Sequence, residues 1–139
     1  MLLRLYPPFL GAGIRVCEIS NDFKYARVEM PLTRFNRNYV GTHFGGSLYS
    51  MVDPFFMIMI IENLGQGFIV WDKAATIRFK KPGRGTVSAT FKLSDEKLNE
   101  IREKLKTQDK LEEVFHVQVV SETGETVAEV DKVIYIRKK

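Results

Sequence analysis

Seven consecutive apolar residues, Phe55-Phe56-Met57-Ile58-Met59-Ile60-Ile61, limit what this chain can fold into more than any other stretch. A helix carrying them is apolar on nearly every side and needs cover on nearly every side. The run is too short to cross a bilayer, which takes about 20 apolar residues. Extending it backward takes in Asp53-Pro54 and Gly45-Gly46. A buried core helix is therefore expected, and no membrane span. One carboxylate, Asp53, sits among Tyr49, Met51, Val52 and the apolar run. Keeping it ionised there is costly unless something pairs with it or uses it.

The rest of the chain reads mainly as strands that could supply the cover. Residues 14–19 and 25–30 form a predicted hairpin across Ser20-Asn21-Asp22. Residues 68–80 form a long strand that ends at Pro82-Gly83-Arg84-Gly85. In 86–93, Val87, Ala89, Phe91 and Leu93 alternate with Thr86, Ser88, Thr90 and Lys92, as in a half-buried strand. Ser94 and Asp95 cap a polar helix over 96–105 with a narrow stripe of Leu98, Ile101 and Leu105. Residues 114–120 and 126–136 make a last hairpin across Glu122-Thr123-Gly124. The predicted order is short helix, two strands, long buried helix, two strands, polar helix, two strands. A curved antiparallel sheet is the natural wrap for such a helix.

Composition excludes several classes. A chain of 139 residues is expected to form a single domain over 1–139, and 45% hydrophobic content argues against disorder. The net charge of +4 suits an anionic ligand but falls short of the concentrated basicity of a nucleic-acid binder. Cys17 is the only cysteine, so no intrachain disulfide forms, and a reducing, cytoplasmic setting is expected. Without a companion set of Cys and His, no metal site or cofactor is expected. The apolar start is cut by Arg4 and ended by Pro7-Pro8, which does not read as a signal peptide.

Residues 38–53 carry the chemistry. A Gly-punctuated polar loop runs into the helix, and Gly45-Gly46 at the helix start leaves bare N–H groups suited to an oxyanion. An oxyanion cradle plus an isolated carboxylate suggests acyl transfer. Gly46 and Asp53 are seven residues apart, about 10 Å along one helix, so one carbonyl could not meet both within a chain. Structural readings stand beside these. Asp53-Pro54 is also a helix cap followed by a first-turn proline. Gly45-Gly46 can serve close packing. His43 can be a hydrogen-bonded loop residue, and His116 a structural or surface one. Strict alternation puts Lys73 on the face of Trp71, Ile77 and Phe79, which an internal Asp72–Lys73 pair or a bulge would resolve. Arg78, Lys80, Lys81 and Arg84 crowd one turn, solvated by default but suited to the phosphates of coenzyme A.

The pattern Asn-x-x-Gly-x-x-His-Gly-Gly, with an Asp seven residues after the second Gly, marks the phenylacetate-type branch of the hot-dog acyl-CoA thioesterases. This chain resembles it, with Asn38, Gly41, Gly45, Gly46 and Asp53 in register. With Asp53-Pro54-Phe55-Phe56, Trp71-Asp72-Lys73 and Lys81-Pro82-Gly83-Arg84-Gly85, it resembles still more an uncharacterised bacterial hot-dog family, a domain of unknown function related to those enzymes. The resemblance implies an α+β hot-dog fold, a curved antiparallel sheet around a long central helix. It implies a homodimer or dimer of dimers, and an acyl-CoA or other acyl thioester as substrate. Asp53 would be base or nucleophile, the Gly45 and Gly46 amides the oxyanion hole across a dimer interface, and Asn38 a loop or water holder. His43, Phe44, Arg78, Lys81 and Arg84 would contact substrate. The chain departs from the pattern at Phe44, where the family has His, with His43 one residue early. It departs again at Met57, where related enzymes often have Ser or Thr. The rival expectation is a hot-dog module that binds acyl groups without hydrolysing them.

Overall fold

Pro54 divides the long helix expected of this chain. The computed structural model describes residues 3–139. Helix α2 spans Gly45–Ser50 and helix α3 spans Phe55–Leu64, with a tight turn over 51–54 between them. Proline lacks the N–H that would continue the ladder, and its ring disfavours a helical conformation in the residue before it. The turn is closed instead by bonds from Val52 N to the Tyr49 carbonyl at 3.0 Å and from Asp53 N to the Ser50 carbonyl at 3.4 Å. Taken end to end, Gly45–Leu64 is 20 residues with a mean hydropathy of 1.2, long and apolar enough to cross a membrane by length and composition alone. Here it is two helices of six and ten residues packed into a core.

Around them the chain runs through a 3-10 turn at Leu3–Leu5, α1 (Pro7–Ala12), β1 (Arg15–Ile19), β2 (Tyr25–Met30), β3 (Phe68–Phe79), β4 (Val87–Lys92), α4 (Asp95–Thr107), β5 (Lys110–Val120) and β6 (Thr126–Lys138). The six strands form one antiparallel sheet in the order β1-β2-β4-β5-β6-β3, so β1 and β3 are its edges. The predicted strands and turns are present with boundaries moved by a few residues. The largest change is at β5, which starts at Lys110 rather than 114.

Alternation dictates what faces the helices. Val87, Ala89 and Phe91 of β4, and Val117 and Val119 of β5, point inward and are buried. Val130, Lys132, Ile134 and Ile136 do the same on β6. Phe55 and Phe56 fill the centre. Phe55 stacks on Phe9 and Phe91, and Phe56 stacks on Phe115 and meets Phe91 edge-on. Burial of such large rings is the main stabilising term. Ser94 caps α4 as expected, accepting from Lys97 N at 3.0 Å. Leu98, Ile101 and Leu105 make its buried stripe.

Two local expectations change. Asp53 caps nothing: Pro54 holds the cap position of α3, with no side-chain bond. The Lys73 puzzle is resolved by a bulge, since the β3–β6 register shifts between Asp72 and Ala74. Lys73 stays on the outer face with Trp71, where it pairs with Glu112 and not with Asp72, and the shift turns Ile77 and Phe79 inward, opposite Val130 and Ala128. An extra residue in one strand flips the residues after it to the other face.

Candidate active site

Asn38 ties its own loop shut. Its Oδ1 accepts from Val40 N and Thr42 N, each at 3.1 Å, and its Nδ2 donates to Thr42 Oγ1 at 3.0 Å. Gly41, with φ +85°, lets the chain turn back through the left-handed region. The closed loop pairs Arg37 with His43 and delivers the chain to α2. At that start Phe44 N is used by the Asn36 carbonyl. The Gly45 and Gly46 amides meet no acceptor among the described residues, as first-turn amides of a helix do. Both glycines are closely covered. A Cβ on Gly45 would lie 3.0 Å from the Phe79 ring, and one on Gly46 would lie 2.4 Å from the Phe44 ring.

His43 is buried, at 2% exposure. Its Nε2 is 2.8 Å from the Gly85 carbonyl, which can only accept, so Nε2 carries the proton. Nδ1 is then a buried acceptor with no protein partner among the described residues. Burial lowers the imidazole below its usual value, outweighing the Gly85 bond, so the ring is neutral at pH 7. Phe44, at the motif's histidine position, is instead exposed on the surface.

Asp53 lies in the turn between α2 and α3, and its partner is a residue that sequence reasoning missed. Lys132 is 0% exposed. Its ammonium donates to the Asp53 carbonyl at 2.7 Å, to Asp53 Oδ1 at 3.0 Å and to the Tyr49 hydroxyl at 3.1 Å. Tyr49 in turn donates to Asp53 Oδ1 at 3.3 Å. Asp72 Oδ1 is 3.1 Å from the same ammonium but makes no hydrogen bond. Burial pulls the Lys132 ammonium down. The bonds to Tyr49 and Asp53 and the charge of Asp72 outweigh it and hold the group above its usual value. Burial pushes the Asp72 carboxyl up, against the pull of Lys132. Asp53 itself is half exposed, its side chain at 51%. Its Oδ2 has no protein partner among the described residues. A signal for Lys132 did exist: the inward series 130, 132, 134, 136 puts one lysine on the core face, and a lone carboxylate in apolar company requires a partner.

A cavity of about 370 Å³ brings Asn38, His43 and Gly45 together with Leu48, Phe79 and Lys81. Asp53 does not line it. The basic turn is also dispersed. Arg78 pairs with Glu129 and Asp131 on the sheet, and Lys81 pairs with Glu125 at 2.7 Å. Lys81 and Arg84 line a second hollow together with Glu122 and Glu125.

A curved antiparallel sheet wrapped around a central helical segment is the hot-dog fold. Solved structures agree. The chain is similar to a protein of unknown function from Pseudomonas aeruginosa, described as a probable thioesterase, with a TM-score of 0.79 and 24% identity over 92% of this chain and 85% of that one. It is similar to a thioesterase from Haemophilus influenzae at TM-score 0.67 and 13% identity, over 94% and 82%. It is also similar to the PaaI protein of the phenylacetic acid degradation operon of E. coli at TM-score 0.64 and 22% identity, over 94% and 83%. Identities this low establish the fold alone. No curated protein matches the chain. The chain belongs to the family described as a domain of unknown function, DUF4442, whose model matches residues 1–136.

Proposed function

We propose that the chain hydrolyses an acyl-CoA thioester, with Asp53 as base or nucleophile. The observation that carries this reading is the division of labour within one carboxylate: Oδ1 is held by Lys132 and Tyr49, while Oδ2 is left open on a half-exposed side chain. Such a group can take a proton from water as the water attacks the thioester carbon, or attack that carbon itself. The negative charge that develops on the carbonyl oxygen then needs donors. The free amides of Gly45 and Gly46 are the proposed oxyanion hole. In the first route the C–S bond breaks and coenzyme A leaves as the thiol, taking the proton from Asp53. In the second it leaves as the thiolate, and water then cleaves the acyl anhydride on Asp53, freeing the acid and restoring the carboxylate. Asn38 acts by holding the loop that presents those amides.

Asp53 is absent from the cavity that holds Gly45, so the reading includes a second copy of the chain, whose Asp53 would meet the first copy's amides. Strand β3 supports it, as a long sheet edge with Trp71 and Phe79 exposed. Lys81 and Arg84 are the proposed contacts for coenzyme A phosphates, whereas Arg78 is already engaged by two carboxylates. Phe44 and Phe79, packed over the two glycines, favour a second reading, an acyl-binding module without hydrolysis.

An acyl-CoA panel on purified protein separates them. Asp53→Asn keeps size but loses the charge, and turnover falls about 10²–10⁴-fold if Asp53 is the base. Lys81→Ala with Arg84→Ala raises KM and leaves kcat largely intact, the mark of lost uniform binding. No turnover of any acyl-CoA by wild type, with acyl binding equal in wild type and Asp53→Asn, would replace the enzyme with the binder.

A further inference from the structure

The apolar neighbours of position 132 do not themselves require a charge there. The residue lies on the inward face of β6 between Val130 and Ile134, both buried, where a methionine of similar length would fit. Replacing a buried ion pair by well-packed apolar residues is often neutral or stabilising, so a fully buried ammonium is weak evidence of a stabilising role. Its three N–H bonds describe another one. Two of the three go to Asp53, one to its backbone carbonyl and one to Oδ1. The third goes to Tyr49, which bonds the same Oδ1. The donor supply is then spent, so the lysine has nothing left to offer a substrate.

We infer that Lys132 is the positioning residue for Asp53, fixing its backbone and one carboxylate oxygen so that the other oxygen faces outward, with Asp72 as a second carboxylate on the same ammonium. This inference rests on the thioesterase reading, because it supplies the role for which Asp53 is positioned. Three titratable groups meet Lys132: Tyr49 from α2, Asp53 from the inter-helix turn and Asp72 from β3. Asp72 competes with Asp53 for one cation without receiving a hydrogen bond. The two carboxylates therefore share one positive charge. Removing the cation disfavours ionisation of the pair, and removing Asp72 leaves the whole cation to Asp53.

The test compares Lys132→Met, Asp72→Asn and the double variant with wild type, and uses Lys73→Met as a control at an exposed lysine on the other face of the sheet. Two readouts are taken. The first is the pH profile of kcat on an acyl-CoA. In Lys132→Met, kcat falls about tenfold to a hundredfold while KM stays within about twofold, and the acidic limb moves up by about one to three pH units. In Asp72→Asn the limb moves the opposite way. The second readout needs no activity: the Hα–Hβ couplings of Asp53 report one χ1 rotamer in wild type and an average in Lys132→Met. A folded Lys132→Met with wild-type kcat and a single Asp53 rotamer overturns the inference. If wild type turns over no acyl-CoA, the thioesterase reading falls, and the couplings still decide whether Lys132 positions Asp53. If Lys132→Met does not fold, the double variant carries both readouts. Failure of both to fold makes the lysine structural and overturns the inference.

Discussion

At the scale of single residues, closeness separates glycines that matter for stability from those that matter for access. A Cβ on Gly83 would lie 3.0 Å from the His43 ring and 3.3 Å from Val127, both buried. Neither neighbour can retreat. A Cβ on Gly46 would first meet the Phe44 ring, which is exposed and can swing away. Gly83→Ala is therefore expected to cost about 1–3 kcal/mol by overpacking. Gly46→Ala should cost much less. Denaturant melts of the two variants check this, and equal losses would show Phe44 to be as fixed as His43. The same scale explains why His43 was legible only as a loop histidine. Its neighbour Gly83 and its acceptor Gly85 lie some forty residues along the chain, in the turn after β3.

At the scale of elements, α4 is joined to the sheet by one buried carboxylate. Glu113 of β5 accepts from Lys97 at 2.6 Å and from Lys104 at 2.8 Å, both on α4. Burial pushes its carboxyl up, but the two ammonium groups outweigh that and hold it below its usual 4.5. A carboxyl lowered on folding contributes stability that is fully present above its unfolded value and lost as pH falls through its folded value. Glu113→Gln should thus lose about 1.5–3 kcal/mol at pH 7. The gap to wild type should close in acid, once the pH has fallen through that lowered value. Urea melts at pH 7 and in acid decide it, and a gap that persists in acid would mean packing, not charge, joins these elements.

For the whole molecule, the sheet order leaves β3 as a twelve-residue edge. Trp71, stacked on Tyr135, is exposed on its outer face, and Phe79 is exposed at its end beside Gly45. A long, partly apolar edge is a liability that a second copy can remove. Light scattering is expected to show a dimer or a dimer of dimers. A stable monomer at micromolar concentration would sink both that assembly and a site shared between copies.

Much of the architecture was legible in the chain, because alternation and turn chemistry are local properties. Val87, Ala89 and Phe91 announce their face within one strand, and Ser94 announces its helix within one turn. The resemblance to the family was carried for a similar reason by short runs, Asp53-Pro54-Phe55-Phe56, Trp71-Asp72-Lys73 and Lys81-Pro82-Gly83-Arg84-Gly85. Two things depended on tertiary structure. The break at 51–54 depended on whether the core would hold Pro54 inside a helix or between two, a choice between packing and the missing N–H. The partner of Asp53 depended on which charges the sheet brings together. Sequence adjacency suggested Asp72 with Lys73, but Lys73 lies on the outer face with Trp71, and the cation that meets both carboxylates is Lys132, at the far end of the chain. Spacing along a chain reports which face a residue is on, and only the closed sheet reports what stands opposite it.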